Sequence, residues 1–362
     1  MTIQLQAHAE ATARTAVEVA LPLKRRVVTE VPTHPSKQTC LDRLYMMKLI
    51  RRFEDRCFIE YSKPGQRIGG FCHLANGQEA INVGLASVFR KPIDMMFAGY
   101  RHHGFSLAFG MSPRTAFAEL FGRVDGCCKG NGGSIHFFDS ANGNHGGYTI
   151  VGAQMAVALG GAFAARYKNT GGVAWAVLGD GAVNCGYFHE SMNMASLWKL
   201  PVVFLVENNK YAMGMSIERS CGEPDLVRRG EGNGMPCVGF DATDLDITIK
   251  HLSEAAERAR NGYGPTYLVA NAERFRGHSM SDPQKYRTKE QIECAKRRDP
   301  LHIYERRLVQ LEIATQQEVD GLDEPIGGIL DDAVRFADQS PNPPLEQRFE
   351  NIHSETYPFF PA

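Results

Sequence analysis

Asp180 and Asn209 are the two side chains whose placement along this chain most plainly suggests chemistry. Asp180 lies in Gly179-Asp180-Gly181, which closes an apolar run over 173–178; Asn209 lies in Asn208-Asn209, which closes a second apolar run over 202–206. Each run reads as a buried strand. The 26 residues from 182 through 207 are enough for one helix and the returning strand. In a right-handed crossover both strand ends then face one crevice at the carboxyl edge of a parallel sheet, where open α/β sheets bind ligands. Asp180 offers a carboxylate oxygen and Asn209 an amide oxygen, and Mg²⁺ takes one or two such oxygens and fills its shell with phosphate and water. Gly179 and Gly181 keep side chains away from an approaching phosphate, and the following helix start adds N–H groups and a positive dipole end. Gly-Asp-Gly alone is a turn and Asn-Asn alone a strand-end cap. The joint order strand, Gly-Asp-Gly, helix, strand, Asn is what points to Mg²⁺ and a diphosphate.

The elements around these residues read as α/β, with a mainly parallel sheet flanked by helices. Strands are predicted over 173–178, 202–206 and 266–271, and helices over 186–198 and 246–261, an alternation that implies βαβ crossovers. Ahead of them, helical spacing of Leu44, Met47, Ile50, Phe53 and Cys57 predicts a helix over 38–62, stopped by Pro64-Gly65. Short helices are predicted over 77–89 and 112–122, and a small-residue helix over 153–167 whose Gly160-Gly161 would admit another backbone. Between 122 and 152 lie nine glycines, a long loop of the kind that serves function. Helices over 289–310 and 316–338 precede a Pro-rich tail. The domain reading is an N-terminal arm over 1–37, a cofactor domain over 38–288, and C-terminal helices and tail over 289–362 packed on the same domain.

Bulk properties exclude several functions. With 43% hydrophobic and 22% charged residues the chain reads as an ordinary globular protein. A net charge of −1 leaves no general field for nucleic acid. Nine scattered cysteines imply thiols in a reducing compartment rather than a disulfide framework; Cys127-Cys128 with His136 lacks the second spaced pair of a zinc site. No apolar run reaches the ~20 residues of a membrane span. The first 23 residues lack the pattern of a secretory signal, and their acidic residues argue against a transit peptide. A bacterial-type cytoplasmic location is expected, with the mitochondrial matrix as the alternative.

The motif from Gly179-Asp180-Gly181-Ala182 to Glu207-Asn208-Asn209-Lys210-Tyr211 resembles the thiamine diphosphate motif of the two-subunit 2-oxoacid dehydrogenases. Leu197-Trp198-Lys199-Leu200-Pro201, the run 126–136 (GCCKGNGGSIH) and the run 150–154 (IVGAQ) narrow the likeness to alpha subunits of the pyruvate branch. It covers residues 40–350 or so. The resemblance implies Mg²⁺ held by Asp180, Asn209 and the backbone carbonyl of Tyr211, and diphosphate contacts from Tyr100, Arg101, Gly181 and Ala182. It implies aminopyrimidine contacts at Thr149 and Val151, Thr149 standing where relatives often carry Gly. It implies an active-site role for His73. For His278 it implies cofactor contact and help in passing the acyl group onward from a mobile loop. Relatives carry Ala or a similar residue at His102, to which no role is carried over. A Ser matching Ser279 is an inhibitory phosphorylation site in mitochondrial relatives, but the run 282–286 is one residue shorter here, as expected of an unregulated loop.

From the residues alone, Arg101 suits a bidentate phosphate contact, while a lone His such as His73 inside an apolar run is more often hydrogen-bonded in a core. A carboxylate to activate the aminopyrimidine is missing, although Glu79 and Glu190 exist. The resemblance places that Glu on a beta subunit, implying an α₂β₂ heterotetramer that decarboxylates pyruvate and acetylates a lipoyl group on a dihydrolipoamide acetyltransferase. Acetoin or branched-chain 2-oxoacid dehydrogenation is the alternative within the class, and a non-catalytic diphosphate-binding module the alternative outside it.

Overall fold

The computed structural model describes residues 35–350 apart from Gln66. The arm expected over 1–37 lies outside the described residues up to 34, and Lys37 already begins the first helix, Lys37–Ser62. The strands in chain order are β1 (Met95–Gly99), β2 (Asn144–Tyr148), β3 (Ala174–Gly179), β4 (Val202–Asn208), β5 (Tyr211–Ala212), β6 (Met215–Ser216), β7 (Cys237–Asp241) and β8 (Thr266–Asn271). Six of them form a parallel sheet in the order β2-β1-β3-β4-β8-β7, and β5 and β6 form a small antiparallel ribbon. The chain leaves β1 for β2 on one side, whereas β3 lies on the other. The crevice of such a switch point therefore opens between the loops that follow β1 and β3.

The sheet is covered on both faces, which is why β3 and β4 read as unbroken apolar runs. Val173, Trp175, Val177, Val203 and Leu205 pack with Ile81 and Leu85 and with Leu252 and Ala256, from helices Glu79–Val88 and Leu245–Arg260. The alternate residues Ala174, Ala176, Leu178, Val202, Phe204 and Val206 face Met155, Ala158 and Ala162 of helix Ala153–Tyr167 and Phe188 and Met192 of helix Gly186–Leu197. A further core joins Leu44, Phe53 and Cys57 to Phe117 of helix Pro113–Leu120 and to Leu308 and Leu330 of the C-terminal helices. Asn208 Nδ2 donates to Asn271 Oδ1 (2.8 Å) and Asn271 Nδ2 to the Phe240 carbonyl (3.1 Å), tying the ends of β4, β8 and β7 together.

Several elements differ from their sequence reading. The helix expected over 289–310 is two, Lys289–Lys296 and Pro300–Gln310, because Asp299 caps the second and Pro300 opens it. That expected over 316–338 is Gln316–Gly321 followed by Glu324–Gln339, with Pro325 in the first turn of the second. Gly160 is uncovered, and Gly161 admits the ring of Phe97 rather than a backbone: a Cβ there would lie 2.8 Å from Phe97 Cε2. In the glycine-rich stretch, the buried Glu119 carboxylate accepts the backbone N–H groups of Cys128, Gly130, Gly132 and Gly133 at 2.7–3.0 Å.

Candidate active site

Because the six strands are parallel, their carboxyl ends share one edge, and the sequence-selected residues sit along it. Tyr100 and Arg101 follow β1, Thr149 and Val151 follow β2, Asp180 and Gly181 follow β3, and Asn209 and Tyr211 follow β4. Two groups of side chains result. In the first, the His73 ring lies 4.3 Å from that of Tyr100 and 5.0 Å from that of His278. Arg101 is buried beside them and donates to the carbonyls of Leu74 and His278. Burial, with the charge of Arg101 next, pushes the His73 imidazole down to about 2 and that of His278 to about 4, so both are neutral at pH 7. Their Nδ1 atoms are buried without a partner.

In the second group, Asp180 is buried and its Oδ2 has no hydrogen-bond partner. Burial pushes its carboxyl up to about 6, against the pull of backbone N–H groups, Arg274 and Arg101. Arg274, buried and only 1% exposed, organises the rest. Its Nη1 donates to Asn209 Oδ1 (3.1 Å) and the Tyr211 carbonyl (3.0 Å); its Nη2 donates to the Met213 carbonyl (3.0 Å) and the Tyr286 hydroxyl (2.7 Å). Tyr286 in turn donates to Asp282 Oδ2 (2.7 Å), which also accepts the His278 N–H (2.6 Å). Arg274 thus joins the loop carrying His278 to the loop carrying Asn209 and Tyr211.

The donor set fits a Mg²⁺–diphosphate pair. Asp180 presents an unpartnered carboxylate oxygen, and the oxygens of Asn209 and Tyr211 each keep a second lone pair beyond the bond from Arg274. Two buried guanidiniums, Arg101 and Arg274, stand within electrostatic reach of Asp180, and burial together with Arg274 draws Arg101 down to about 10. Gly179 faces open space, but Gly181 is explained by protein: a Cβ there would lie 2.6 Å from that of Ala212 in β5. The Ala182 methyl packs in the apolar core, which leaves only its backbone for a ligand. Val151 is 45% exposed on the uncovered side of this edge.

Four contributors were given no role of their own by the sequence reading: Arg274, Asp282 and Tyr286, in the stretch likened to a mobile active-site loop, and Glu207 at the end of β4. A signal for Arg274 existed, since it stands three residues beyond the predicted strand 266–271 and so at the same sheet edge. Glu207 is buried, accepts from Gln78 Nε2 (3.0 Å) and is pushed up to about 8 by burial, against the pull of Arg101. A carboxyl raised in the folded state gives stability that is lost as pH rises through its folded value. We expect the cofactor-free chain to melt at lower temperature at pH 8 than at pH 6.5, and Glu207→Gln to flatten that difference in thermal scans. Equal pH slopes in the two proteins would contradict the assigned burial cost.

The Dehydrogenase E1 component family matches residues 45–346. The chain belongs to that family. Its members generally depend on thiamine diphosphate. Among similar E1 chains is the pyruvate dehydrogenase E1 component subunit alpha of Rhizobium meliloti, 41% identical over 92% of this chain and 95% of the relative. The subunit of the same name from Rickettsia felis is 40% identical over 88% of this chain and 97% of its own. That from Zymomonas mobilis is 41% identical over 88% and 90%. Among the described residues no helix of this E1 chain is long and apolar enough to cross a membrane.

Proposed function

We propose that this chain is the alpha subunit of a pyruvate dehydrogenase first component, working with thiamine diphosphate and Mg²⁺ in a bacterial cytoplasm. The reading is carried by identity of about 40% to E1 alpha subunits across nearly their full length, joined to a buried Asp180 oxygen that lacks a partner. Asp180, Asn209 and the Tyr211 carbonyl hold the metal. Tyr100, Arg101 and the backbone at Gly181 and Ala182 hold the diphosphate, and the backbone at Thr149 and Val151 meets the aminopyrimidine. When bound, thiamine diphosphate would supply a nucleophilic carbon and a sink for the electron pair left behind when CO₂ departs. His73 and His278, neutral and close together, line the reacting end, where their unpartnered nitrogens can hold or pass a proton. His278 lies on the loop through which the acetyl group leaves for a lipoyl group on the acetyltransferase.

The chain carries half of the site. Glu79 is committed elsewhere, paired with Arg51 (2.6 Å) and accepting the Gly77 N–H (3.0 Å), and Glu190 is exposed on helix Gly186–Leu197. The missing carboxylate fits a beta subunit, and a surface for one is at hand. Ile150 and Val151 continue into Val157, Phe163 and Tyr167 of helix Ala153–Tyr167, and Leu197 and Trp198 flank them, all exposed. So large an apolar face is typical of an interface. The test is coexpression with the beta subunit, followed by CO₂ release from pyruvate, 2-oxoisovalerate and acetoin. Turnover is expected with pyruvate, only with both subunits present. Turnover by this chain alone sinks the half-site reading, preference for another substrate moves the enzyme within its class, and Mg²⁺-independent diphosphate binding without turnover favours a non-catalytic module.

A further inference from the structure

We infer that His102 and His103 are positioning residues that fix the diphosphate end of the cofactor cradle to its aminopyrimidine end. The inference rests on the cofactor reading above and deepens it. His102 and His103 directly follow Arg101, and both side chains are fully buried. They reach opposite ends of one short segment. His103 Nε2 lies 2.9 Å from both the carbonyl and the hydroxyl of Ser134, while its Nδ1 lies 3.1 Å from Glu54 Oε2. His102 Nε2 accepts the Phe137 N–H at 3.0 Å. Burial, with the neighbouring His103, draws His102 down to about 3, so that nitrogen keeps its lone pair at any working pH.

The segment they hold is itself anchored on β2. His136 Nδ1 lies 2.7 Å from the Gly147 carbonyl. A Cβ on Gly147 would fall 2.2 Å from His102 Cε1 and 2.5 Å from the Ile135 carbonyl oxygen, so the His102 ring is wedged between the segment and the strand. Two residues past Gly147 stands Thr149, and four past it Val151. The connection therefore runs from Arg101 through the paired imidazoles and Ser134, His136 and Phe137 to the loop that meets the aminopyrimidine. The β1–β2 ladder is irregular between Met96 and Ala98 but resumes with Ala98 opposite Gly147 and Gly99 opposite Tyr148, so the two imidazoles add a second tie beyond the last paired residues of the strands.

A histidine used through Nε2 gives a discriminating pair of variants. In His102→Gln the amide oxygen can reach the place of Nε2; in His102→Asn it stops near the place of Nδ1. With the protein coexpressed with its beta subunit at fixed Mg²⁺, calorimetric titration should show thiamine diphosphate bound about tenfold more weakly by His102→Asn. His102→Gln should stay within about twofold of the parent, and kcat at saturating cofactor should change little in either. Inorganic diphosphate touches one end of the cradle only, so both variants should bind it like the parent. Equal thiamine diphosphate affinity in the two variants overturns the inference, and so does a matching loss for inorganic diphosphate, which would mean local damage at Arg101. A parent protein that takes up no thiamine diphosphate overturns the cofactor reading itself, a result distinct from the other two.

Discussion

Asp180→Asn is expected to lower the affinity for Mg²⁺ and thiamine diphosphate by at least about a hundredfold while leaving the cofactor-free fold intact. The carboxylate is buried at the end of β3, with one oxygen unpartnered and two guanidiniums within electrostatic reach. Asparagine keeps the shape and the neutral hydrogen bonds but removes the charge that would face a divalent cation. The effect on folding has the opposite sign. Burial raises the carboxyl from its ordinary range to about 6, so above that pH the cofactor-free protein carries an ionised group it solvates poorly. At pH 8 the variant should therefore melt no lower than the parent and gain less from added cofactor. Calorimetric titration and thermal scans with and without Mg²⁺–thiamine diphosphate check both halves. Unchanged cofactor affinity would remove Asp180 from the metal site.

Arg274→Lys should be almost as damaging. The guanidinium meets four acceptors in two segments: Asn209, Tyr211 and Met213 beyond β4, and Tyr286 in the loop that carries His278. A planar fork serves several acceptors at fixed angles; an ammonium keeps the charge but cannot span them. Charge-assisted bonds of this kind are worth about 1.5–3 kcal/mol each, so losing two of them predicts a fall in kcat/KM of about a hundredfold or more. The loop around 277–287 should also become more sensitive to proteolysis, because Tyr286 and through it Asp282 lose their anchor. A lysine variant with near-parental kcat/KM and parental resistance to protease would show that the loop is held by other means.

Much of this was legible in the residues, for a physical reason. β3, β4 and β8 are central strands, and a strand covered on both faces must be an apolar run, so their ends, with Asp180 and Asn209, could be located from hydrophobicity alone. β2 is an edge strand of sequence Asn-His-Gly-Gly-Tyr and β7 an edge strand containing Gly239; neither carries the pattern a buried strand needs, and both went unread. Arg274 and Tyr286 stood in a loop already marked for function. Arg274 works by contacts across 65 residues to Asn209 and 63 to Tyr211, with Tyr286 bonded to the same guanidinium, and spacing along the chain cannot express that. Glu207 stood one residue past the predicted strand, although β4 runs through it to Asn208, and its environment depends on Gln78 from another element.

Glu119 has a consequence for how the glycine-rich stretch moves. Four amides from Cys128 to Gly133 share two oxygens of one carboxylate, so none of them can be released without loosening the anchor of the rest. A stretch of irregular backbone is thereby gathered onto one buried carboxylate. Regularity of that kind normally comes from a neighbouring strand; here one acidic side chain acts as the template.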